Sequence, residues 1–332
     1  MLTVAVTGPT GEIGKSFISA LERMPEVERV IGMARRPFDL GAQGWEKTEY
    51  RRGDILDRDA VEGLVADADV VVHLAFVIVA GRGESREINL TGSRNVFEAA
   101  AAAGVGRLVY TSSVAAYGFD RSLPTPLTED LPVKGTARHP YSADKAEVEA
   151  ELREALLGTA TDAYVFRPCI VAGPQAPLLL ELVPLLSAGQ RLPGPVRWAL
   201  GKAPSLRPVL PDPGVPFQLV HHDDVAAALG AAVLGHGEPG VYNLAGPGEL
   251  TVSDLARELG WHSVPAPQLA VGAAAEAMAP FLPFLPAEAA WIETVRRPVL
   301  MDTSRARRKL HWMPHHDARE TLRETIAAVR AR

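Results

Sequence analysis

A glycine-rich turn near the N-terminus constrains the fold of this chain more than any other feature. An apolar stretch, Leu2–Thr7, is typical of a buried strand, and a helix begins near Glu12. Between them lie three glycines spaced three residues apart, Gly8, Gly11 and Gly14. Such glycines let a diphosphate approach the backbone closely, and the N–H groups of the helix N-terminus attract the anion. The turn predicts a dinucleotide-binding unit, although glycines also occur at such turns for structural reasons alone.

The end of the second predicted strand bears on which dinucleotide binds. In units of this kind an acidic residue about 20 positions after the glycines holds the adenosine ribose and repels a 2′-phosphate. Here Ala34 ends the apolar run, and Arg35 and Arg36 follow it. Guanidinium groups bind phosphate well. The pattern favours NADP(H), with NAD(H) as the alternative cofactor if the two arginines are ordinary surface charges.

Two further strands are predicted before residue 80. The strand at 48–51 leads to Asp54, which we expect to reach an adenine amino group, and to Asp57, which we expect to cap the helix over residues 58–65. The continuous apolar run at 68–75 is typical of a parallel strand covered on both faces. His73 lies near its end, where we expect a structural role.

The segment that follows this strand is apolar where most loops are polar. Residues 76–83 come after a strand end, on the side of a parallel sheet where ligands bind. We therefore expect them to form a hydrophobic pocket wall, with Phe76 and Val77 in contact with a substrate.

A tyrosine and a lysine supply the most informative pair of side chains. After a helix predicted at 85–103 and a strand at 107–113, a further helix begins near His139 and extends to residue 157. Tyr141 and Lys145 are four residues apart and so lie on one face of it. An ammonium beside a phenol lowers the tyrosine pKa from about 10 toward neutrality, which suits proton exchange. The alternative is a chance pair of exposed side chains.

Composition narrows the classes of protein that this chain can belong to. The net charge of −6 argues against a nucleic-acid partner, because binding phosphates requires a basic surface. One cysteine, Cys169, excludes an internal disulfide. Five prolines and Glu276 interrupt the most apolar window, residues 265–286, so we expect no membrane span there. No basic segment precedes the first strand; we expect no secretory signal and a cytoplasmic protein.

Two histidines and two aspartates follow one another at His221–Asp224. Adjacent residues point in different directions, and the sequence shows no second cluster that would complete a ligand shell, so we expect no metal site. Asp223 or Asp224 is expected to cap a helix over residues 225–234, after a strand at 217–220.

The ordered set of motifs resembles the extended short-chain dehydrogenases/reductases, in the group of NAD-dependent epimerases and dehydratases. The matching motifs are Thr7-Gly8-x-x-Gly11-x-x-Gly14, Gly53-Asp54-x-x-Asp57, His73-Leu74-Ala75, Asn89-x-x-Gly92-x-x-Asn95, Tyr110-Thr111-Ser112-Ser113, Tyr117-Gly118, Tyr141-x-x-x-Lys145, Arg167-Pro168, Gly173-Pro174 and His221-x-Asp223-Asp224-Val225. The resemblance implies that Ser113 hydrogen-bonds the reacting substrate oxygen and that Tyr141 exchanges its proton. It also implies that Lys145 holds the nicotinamide ribose and lowers the tyrosine pKa.

The same resemblance implies a set of binding residues and a homodimer through the helices at 85–103 and 141–157. The implied cofactor contacts are Gly8, Thr10, Gly11, Glu12, Ile13, Gly14, Arg35, Arg36, Asp54, Ile55, Leu74, Ala75, Lys145 and Pro168. The expected substrate contacts are Phe76, Val77, Tyr117 and Ile170.

The chain departs from the family pattern in ways that bear on the reaction. Sugar dehydratases of the family carry Asp-Glu after the active-site hydroxyl, but here Val114 and Ala115 follow it, so elimination of water lacks its acid and base. Ile170 stands where nucleotide-sugar enzymes tend to have an asparagine. The segment after residue 175 is rich in Leu, Pro and Ala, which favours an apolar pocket.

The sequence as a whole predicts an α/β fold with a doubly wound, Rossmann-like parallel sheet and a smaller C-terminal α/β substrate lobe. We expect the nucleotide-binding domain at 1–174, with 215–245 returning to it, and the substrate lobe mainly at 175–332. The leading hypothesis is an NAD(P)H-dependent oxidoreductase that interconverts a carbonyl and an alcohol on a small to medium, largely apolar substrate. The alternatives are an epimerase that acts on a sugar-like substrate with retained cofactor, and a non-catalytic NAD(P)-sensing regulator.

Overall fold

Seven parallel strands form the central sheet of this computed structural model, which describes residues 1–78, 82–120, 122–177, 180, 207–268 and 297–331. The strands are β1 (Leu2–Thr7), β2 (Val27–Ala34), β3 (Thr48–Arg52), β4 (Val70–His73), β5 (Arg107–Thr111), β6 (Asp162–Pro168) and β10 (Gly240–Leu244). Their spatial order is β10-β6-β5-β4-β1-β2-β3. The chain reverses its direction of travel across the sheet between β3 and β4, which is the doubly wound topology that the sequence predicted.

Helices cover both faces of this sheet. They are α1 (Glu12–Glu22), α2 (Arg58–Val65), α3 (Arg82–Glu87), α4 (Ser93–Ala103), α5 (Pro140–Ala155) and α6 (His222–Val233). In β1, Val4 and Val6 pack in the same core as Phe17 of α1 and Leu229 of α6, whereas Ala5 packs on the opposite face. Both faces of the inner strands, such as β1 and β4, are therefore buried, which explains why these strands are mainly apolar, whereas the edge strand β3 is polar and partly exposed.

The C-terminal part of the chain adds a smaller α/β unit. Its strands pair in parallel, β7 (Ile170–Ala172) with β9 (Leu219–His221) and β8 (Val209–Asp212) with β11 (His262–Pro265). Helices α7 (Val252–Leu259) and α9 (Ala318–Ala331) share a core that includes Leu255 and Leu322. Helix α8 (Ser304–Lys309) lies between them in the chain, and its Ala306 packs in the core of the central sheet instead. The fold class is confirmed; the exact domain boundaries at 174 and 215–245 stay predictions.

Several predicted boundaries shift by a few residues. The helix expected at 85–103 contains a π-helical turn, Ile88–Gly92, between α3 and α4. Asp57 caps α2 as expected, since its carboxylate accepts a hydrogen bond from the Ala60 N–H at 3.2 Å. The expected cap of α6 is wrong: the helix begins at His222, and the imidazole of His221, rather than Asp223 or Asp224, accepts the N–H of Asp223.

His73 connects three elements of the sheet layer. It is fully buried, with Nδ1 2.7 Å from the Thr7 hydroxyl on β1 and Nε2 2.9 Å from the Ser93 hydroxyl on α4. Burial and the charge of Lys145 lower the pKa of His73 to about 3. The imidazole is therefore a neutral group, and the hydroxyls of Thr7 and Ser93 satisfy its two ring nitrogens.

This burial predicts a specific loss of stability in acid. The unfolded chain binds a proton at His73 near pH 6.5, and the folded chain only near pH 3. The contribution of neutral His73 to the free energy of unfolding is therefore complete above pH 6.5 and is lost as the pH falls toward 3. Between pH 8 and pH 5 the loss is about 2 kcal/mol. Urea unfolding at both pH values should show a smaller loss for His73→Asn than for the native chain. His236→Asn, at an exposed histidine, should leave the loss unchanged; equal losses in all three proteins would contradict the assignment.

Candidate active site

The side chains that could take part in a reaction converge at one edge of the central sheet. Parallel strands all end at this edge, so the segments that follow them meet there. Ser113 follows β5, the glycine turn follows β1, and Phe76 follows β4. Helix α5 brings Tyr141 and Lys145 to the same place.

In the glycine turn, neighbouring backbone atoms occupy the space that side chains at Gly8 and Gly14 would need. Gly8 has φ +74°, and a Cβ on it would lie 2.7 Å from the Ala75 N, so no larger residue fits against that strand end. A Cβ on Gly14 would lie 2.3 Å from the Gly8 carbonyl oxygen. Gly11, which is exposed, is the N-cap residue of α1 and offers no side-chain cap. The turn therefore presents a bare helix N-terminus beside Leu74 and Ala75, which fits the diphosphate of a dinucleotide.

Lys145 is a buried cation at the centre of this edge. Its side chain is 3% exposed, and Nζ donates to the Thr111 carbonyl at 2.9 Å and to the Tyr110 hydroxyl at 3.3 Å. The Phe76 ring covers it, with Nζ 3.7 Å from the ring centroid. Burial lowers the pKa of Lys145 to about 7, against the opposing effect of the Glu149 and Asp144 carboxylates.

Tyr141 and Ser113 lie next to this cation. The Tyr141 ring is partly buried and meets the Phe76 ring edge-on, with their centroids 5.6 Å apart. Ser113 is 7% exposed, and its hydroxyl interacts with the Tyr141 phenol while accepting the Ala115 N–H at 3.2 Å. A hydroxyl, a phenol and an ammonium thus share one small volume at the carboxyl edge.

The expected direction of the tyrosine pKa shift is wrong for this structure. Burial raises the pKa of Tyr141, and the hydrogen bond to Ser113 offsets only part of that rise. The Lys145 Nζ lies 6.0 Å from the Tyr141 ring centroid and donates to Thr111 instead. Sequence spacing placed the two side chains on one face correctly, but it contained no information on how dry that face is.

A buried ion pair supports the face of α5 that carries Lys145, and sequence reasoning missed it. Arg167 donates two hydrogen bonds to Glu149, at 2.9 and 2.6 Å, and the two side chains are only 3% and 2% exposed. Ser112 donates to the same carboxylate at 2.6 Å. Glu149 lies four residues after Lys145, so the helical period that singled out the lysine was the signal that could have found it.

A second polar group fixes the loop after β4. The amide of Asn89 accepts the Val77 N–H at 2.9 Å and donates to the Val77 carbonyl at 3.1 Å. It also donates to Asp144 at 3.2 Å, and Arg86 holds that carboxylate from the other side at 2.8 Å. These bonds hold the segment with Phe76 against α5.

The residues expected at the adenosine end of the cofactor are also placed at strand ends. Arg35 and Arg36 are exposed after β2, and neither guanidinium bonds to another described residue. Asp54 accepts the Leu56 N–H at 3.0 Å and is partly buried. Ile55 is 6% exposed and its side chain packs in the core, while its carbonyl accepts the Asn95 amide at 2.9 Å.

Two of the expected substrate residues pack against apolar cores, and their contact with a substrate stays a prediction. Tyr117 is 1% exposed, its hydroxyl donates to Asn243 at 2.7 Å, and the Arg167 guanidinium lies over its ring. Ile170 is half-buried in β7 and packs against the core of the smaller unit. Most of the Leu-, Pro- and Ala-rich segment expected to form the pocket, residues 181–206, lies outside the described residues, and so does most of the apolar window at 265–286.

The remaining expected cofactor contacts lie at the end of β6 and around the glycine turn. Pro168 ends β6 and is paired with Leu244 of β10, and Thr10, Glu12 and Ile13 are partly buried around the glycine turn. Within the described ranges, no helix has the length and apolar character needed to cross a membrane.

Comparisons with known proteins agree with this architecture. The profile of the NAD dependent epimerase/dehydratase family matches residues 4–245. An uncharacterized protein of Mycobacterium tuberculosis is 30% identical over 334 residues, which cover 100% of this chain and 30% of that protein. The chain therefore spans about a third of the length of this mycobacterial relative. Human 3 beta-hydroxysteroid dehydrogenase type 7 is 32% identical over 174 residues, 46% of this chain and 44% of that one.

A solved structure with the same fold is the UDP-glucuronic acid 4-epimerase from Bacillus cereus in complex with NAD. It has a TM-score of 0.74, 18% identity and 99% coverage of both chains. At that identity the likeness concerns the fold. The family profile covers more than half of the chain, and the glycine turn, the hydroxyl and the tyrosine–lysine pair all lie within the matched residues. The chain belongs to the NAD dependent epimerase/dehydratase family.

Proposed function

We propose that this protein is an NAD(P)H-dependent oxidoreductase that interconverts a carbonyl and an alcohol on a small to medium, largely apolar substrate. The observation that carries the proposal is the placement of the Ser113 hydroxyl, the Tyr141 phenol and the buried Lys145 ammonium together, at the sheet edge that holds the glycine turn. A bound nicotinamide cofactor supplies or accepts the hydride at this edge.

The residues of this chain then orient the substrate and handle the proton. The Ser113 hydroxyl holds the substrate oxygen, and the Tyr141 hydroxyl gives that oxygen a proton during reduction or takes one during oxidation. Because burial raises the pKa of Tyr141, the free protein holds the proton on the phenol, the form needed for carbonyl reduction. Lys145 binds the ribose of the cofactor through Nζ and supplies positive charge beside the phenol.

The surroundings of Tyr141 support an apolar substrate. Phe76 packs against its ring, and the residues after Ser113 are the buried apolar Val114 and Ala115, which offer neither acid nor base for elimination of water. A hydroxysteroid dehydrogenase among the relatives fits this proposal. An epimerase with retained cofactor is the second candidate, since the Bacillus structure of the same fold is a 4-epimerase. A regulator without chemistry would not need the three catalytic groups.

We further propose NADP(H) as the preferred cofactor. The Bacillus structure is a complex with NAD, and NAD(H) is therefore the alternative. The case for NADP(H) rests on Ala34, which replaces an acidic residue, and on the exposed Arg35 and Arg36, whose guanidinium groups bond to no other described residue. We also propose a cytoplasmic homodimer formed through α4 and α5; a small molecule is then the only other partner that the proposal needs.

Removal of one hydroxyl tests the proposed proton transfer. Tyr141→Phe should lower kcat by about 10²–10⁴-fold, because only the proton donor is lost, while the Kd for NADPH stays near that of the native protein. NADPH oxidation with a panel of apolar ketones measures kcat, and fluorescence titration measures Kd.

Tyr164→Phe is the matched control, since it removes a hydroxyl near the amino end of β6 that donates to the Gly237 carbonyl at 3.1 Å. It should leave kcat unchanged. Near-native turnover by Tyr141→Phe would overturn the assigned acid. Epimerisation of a sugar substrate without net NADPH oxidation would contradict the reductase function and support the epimerase function.

Truncation of an exposed arginine tests the cofactor preference. Arg35→Ala should raise the Kd for NADPH about tenfold or more and leave the Kd for NADH nearly unchanged, because only NADPH carries the 2′-phosphate. Isothermal titration of both nucleotides measures the two constants. Arg23→Ala, at the far end of α1, is the control and should affect neither. Equal weakening of NADPH and NADH by Arg35→Ala would show that Arg35 does not contact the 2′-phosphate.

A further inference from the structure

The hydroxyl of Tyr50 lies where the chain leaves β2. Tyr50 is a partly buried residue of β3, and its hydroxyl approaches two backbone carbonyl oxygens, that of Ala34 at 2.8 Å and that of Arg36 at 2.6 Å. A phenol carries one proton, so the two carbonyls share it. They belong to the residues on either side of Arg35. The hydroxyl therefore holds the backbone that carries this arginine.

The two carbonyls depend on this hydroxyl to different degrees. The Ala34 carbonyl also accepts the Gly53 N–H at 3.2 Å, which continues the pairing of β2 with β3. The Arg36 carbonyl accepts no other hydrogen bond within the described part of the chain. Pro37 follows and disfavours a helical backbone at Arg36. The Tyr50 hydroxyl is thus the contact that fixes the course of the chain just after Arg35.

Tyr50 lies on the face of the sheet that the glycine turn covers. In the pairing of β2 with β3 it stands opposite Gly32, so the side-chain positions of the two residues share one face. A Cβ on Gly32 would lie 3.1 Å from the Pro9 Cγ, which places the glycine turn on that face as well. The bend around the Tyr50 hydroxyl therefore belongs to the same side of the sheet as the turn.

A backbone hydrogen bond ties the end of β2 to the glycine turn. The Gly8 N–H donates to the Met33 carbonyl at 3.1 Å. Consecutive Cα atoms are about 3.8 Å apart, so the Cα of Arg35 is at most about 8 Å from that of Met33. The adenosine ribose of a dinucleotide lies beyond the diphosphate that such a turn suits. Arg35 is therefore close to the place of a 2′-phosphate.

Stability of the core does not explain the Tyr50 hydroxyl. Tyr50 belongs to neither hydrophobic core of the central sheet, and its hydrogen bond to the Arg36 carbonyl is exposed to solvent. Such a bond replaces bonds to water and contributes modestly to folding. It does, however, restrict the backbone of an exposed arginine, whose long side chain otherwise loses much conformational freedom when it binds a ligand.

We propose that Tyr50 is a positioning residue for cofactor selectivity: its hydroxyl holds the backbone on both sides of Arg35, so that the guanidinium meets the 2′-phosphate of NADP(H). This role rests on the cofactor preference proposed above. Tyr50 acts through Arg35 and makes no contact with the phosphate itself. Loss of the hydroxyl therefore weakens binding only of the nucleotide that carries the phosphate.

Isothermal titration of NADPH and NADH into Tyr50→Phe tests this role. The Kd for NADPH should rise about threefold or more, because a hydrogen bond that prearranges Arg35 is lost, and the Kd for NADH should keep its native value. In the Arg35→Ala background, Tyr50→Phe should not raise the Kd for NADPH further, since two residues that act as a unit are not additive. Tyr164→Phe, which removes a hydroxyl–carbonyl bond on β6, is the control and should change neither constant.

The possible results separate the role of Tyr50 from the cofactor preference. If Arg35→Ala weakens NADPH selectively and Tyr50→Phe does not, Tyr50 has no positioning role, while the preference for NADP(H) stands. Equal weakening of NADPH and NADH by Tyr50→Phe, or a full further loss in the Arg35→Ala background, would also overturn the role. If Arg35→Ala leaves the Kd for NADPH unchanged, the preference and the role of Tyr50 are both wrong.

A cofactor fragment makes the test independent of the nicotinamide site. Adenosine 2′,5′-bisphosphate carries the 2′-phosphate without the nicotinamide, and its Kd should follow that of NADPH in all the variants. Adenosine 5′-monophosphate lacks the 2′-phosphate and should bind Tyr50→Phe as it binds the native chain. The reverse order would contradict the role of Tyr50. Near-ultraviolet circular dichroism checks that each variant is folded.

Discussion

The burial of the Lys145 ammonium is the constraint on which the candidate active site depends. An isolated charge in a dry environment is costly, so the fold must provide partners for it. It does so with the Thr111 carbonyl, the Tyr110 hydroxyl and the face of the Phe76 ring. The carboxylates of Asp144 and Glu149 add the opposing charge that keeps the pKa of the amine from falling further. The cation is therefore held in place before any ligand arrives.

Each of those partners is itself fixed by another element of the fold. Arg167 on β6 and Ser112 after β5 hold Glu149, while Arg86 and Asn89 hold Asp144. The loop that carries Phe76 is fastened to the same Asn89. Preorganised polar groups of this kind need little rearrangement when the reaction takes place. The rigid sheet edge thus connects the glycine turn, which suits a diphosphate, to the groups that suit a proton transfer.

The sequence predicted the parts of the structure that depend on local patterns. Continuous apolar runs such as 68–75 predicted strands buried on both faces, and the four-residue spacing of Tyr141 and Lys145 placed them on one face. It could not predict effects that arise from burial and from distant contacts. The pKa of Tyr141 rises because its site is dry, and Tyr117 is in the core because Asn243, 126 residues later, accepts its hydroxyl. His316 and Glu324 join His221 only through the packing of α9.

The most direct test of this account is the titration of the Lys145 amine in solution. The chain has six lysines, so nuclear magnetic resonance of side-chain-labelled lysine can follow each Nζ separately as the pH changes. The account predicts that one lysine titrates at about 7 and that its signal is missing from Lys145→Arg. If all six lysines titrate near 10.4, the ordinary value, Lys145 is not the buried cation described above and the account of the active site is contradicted.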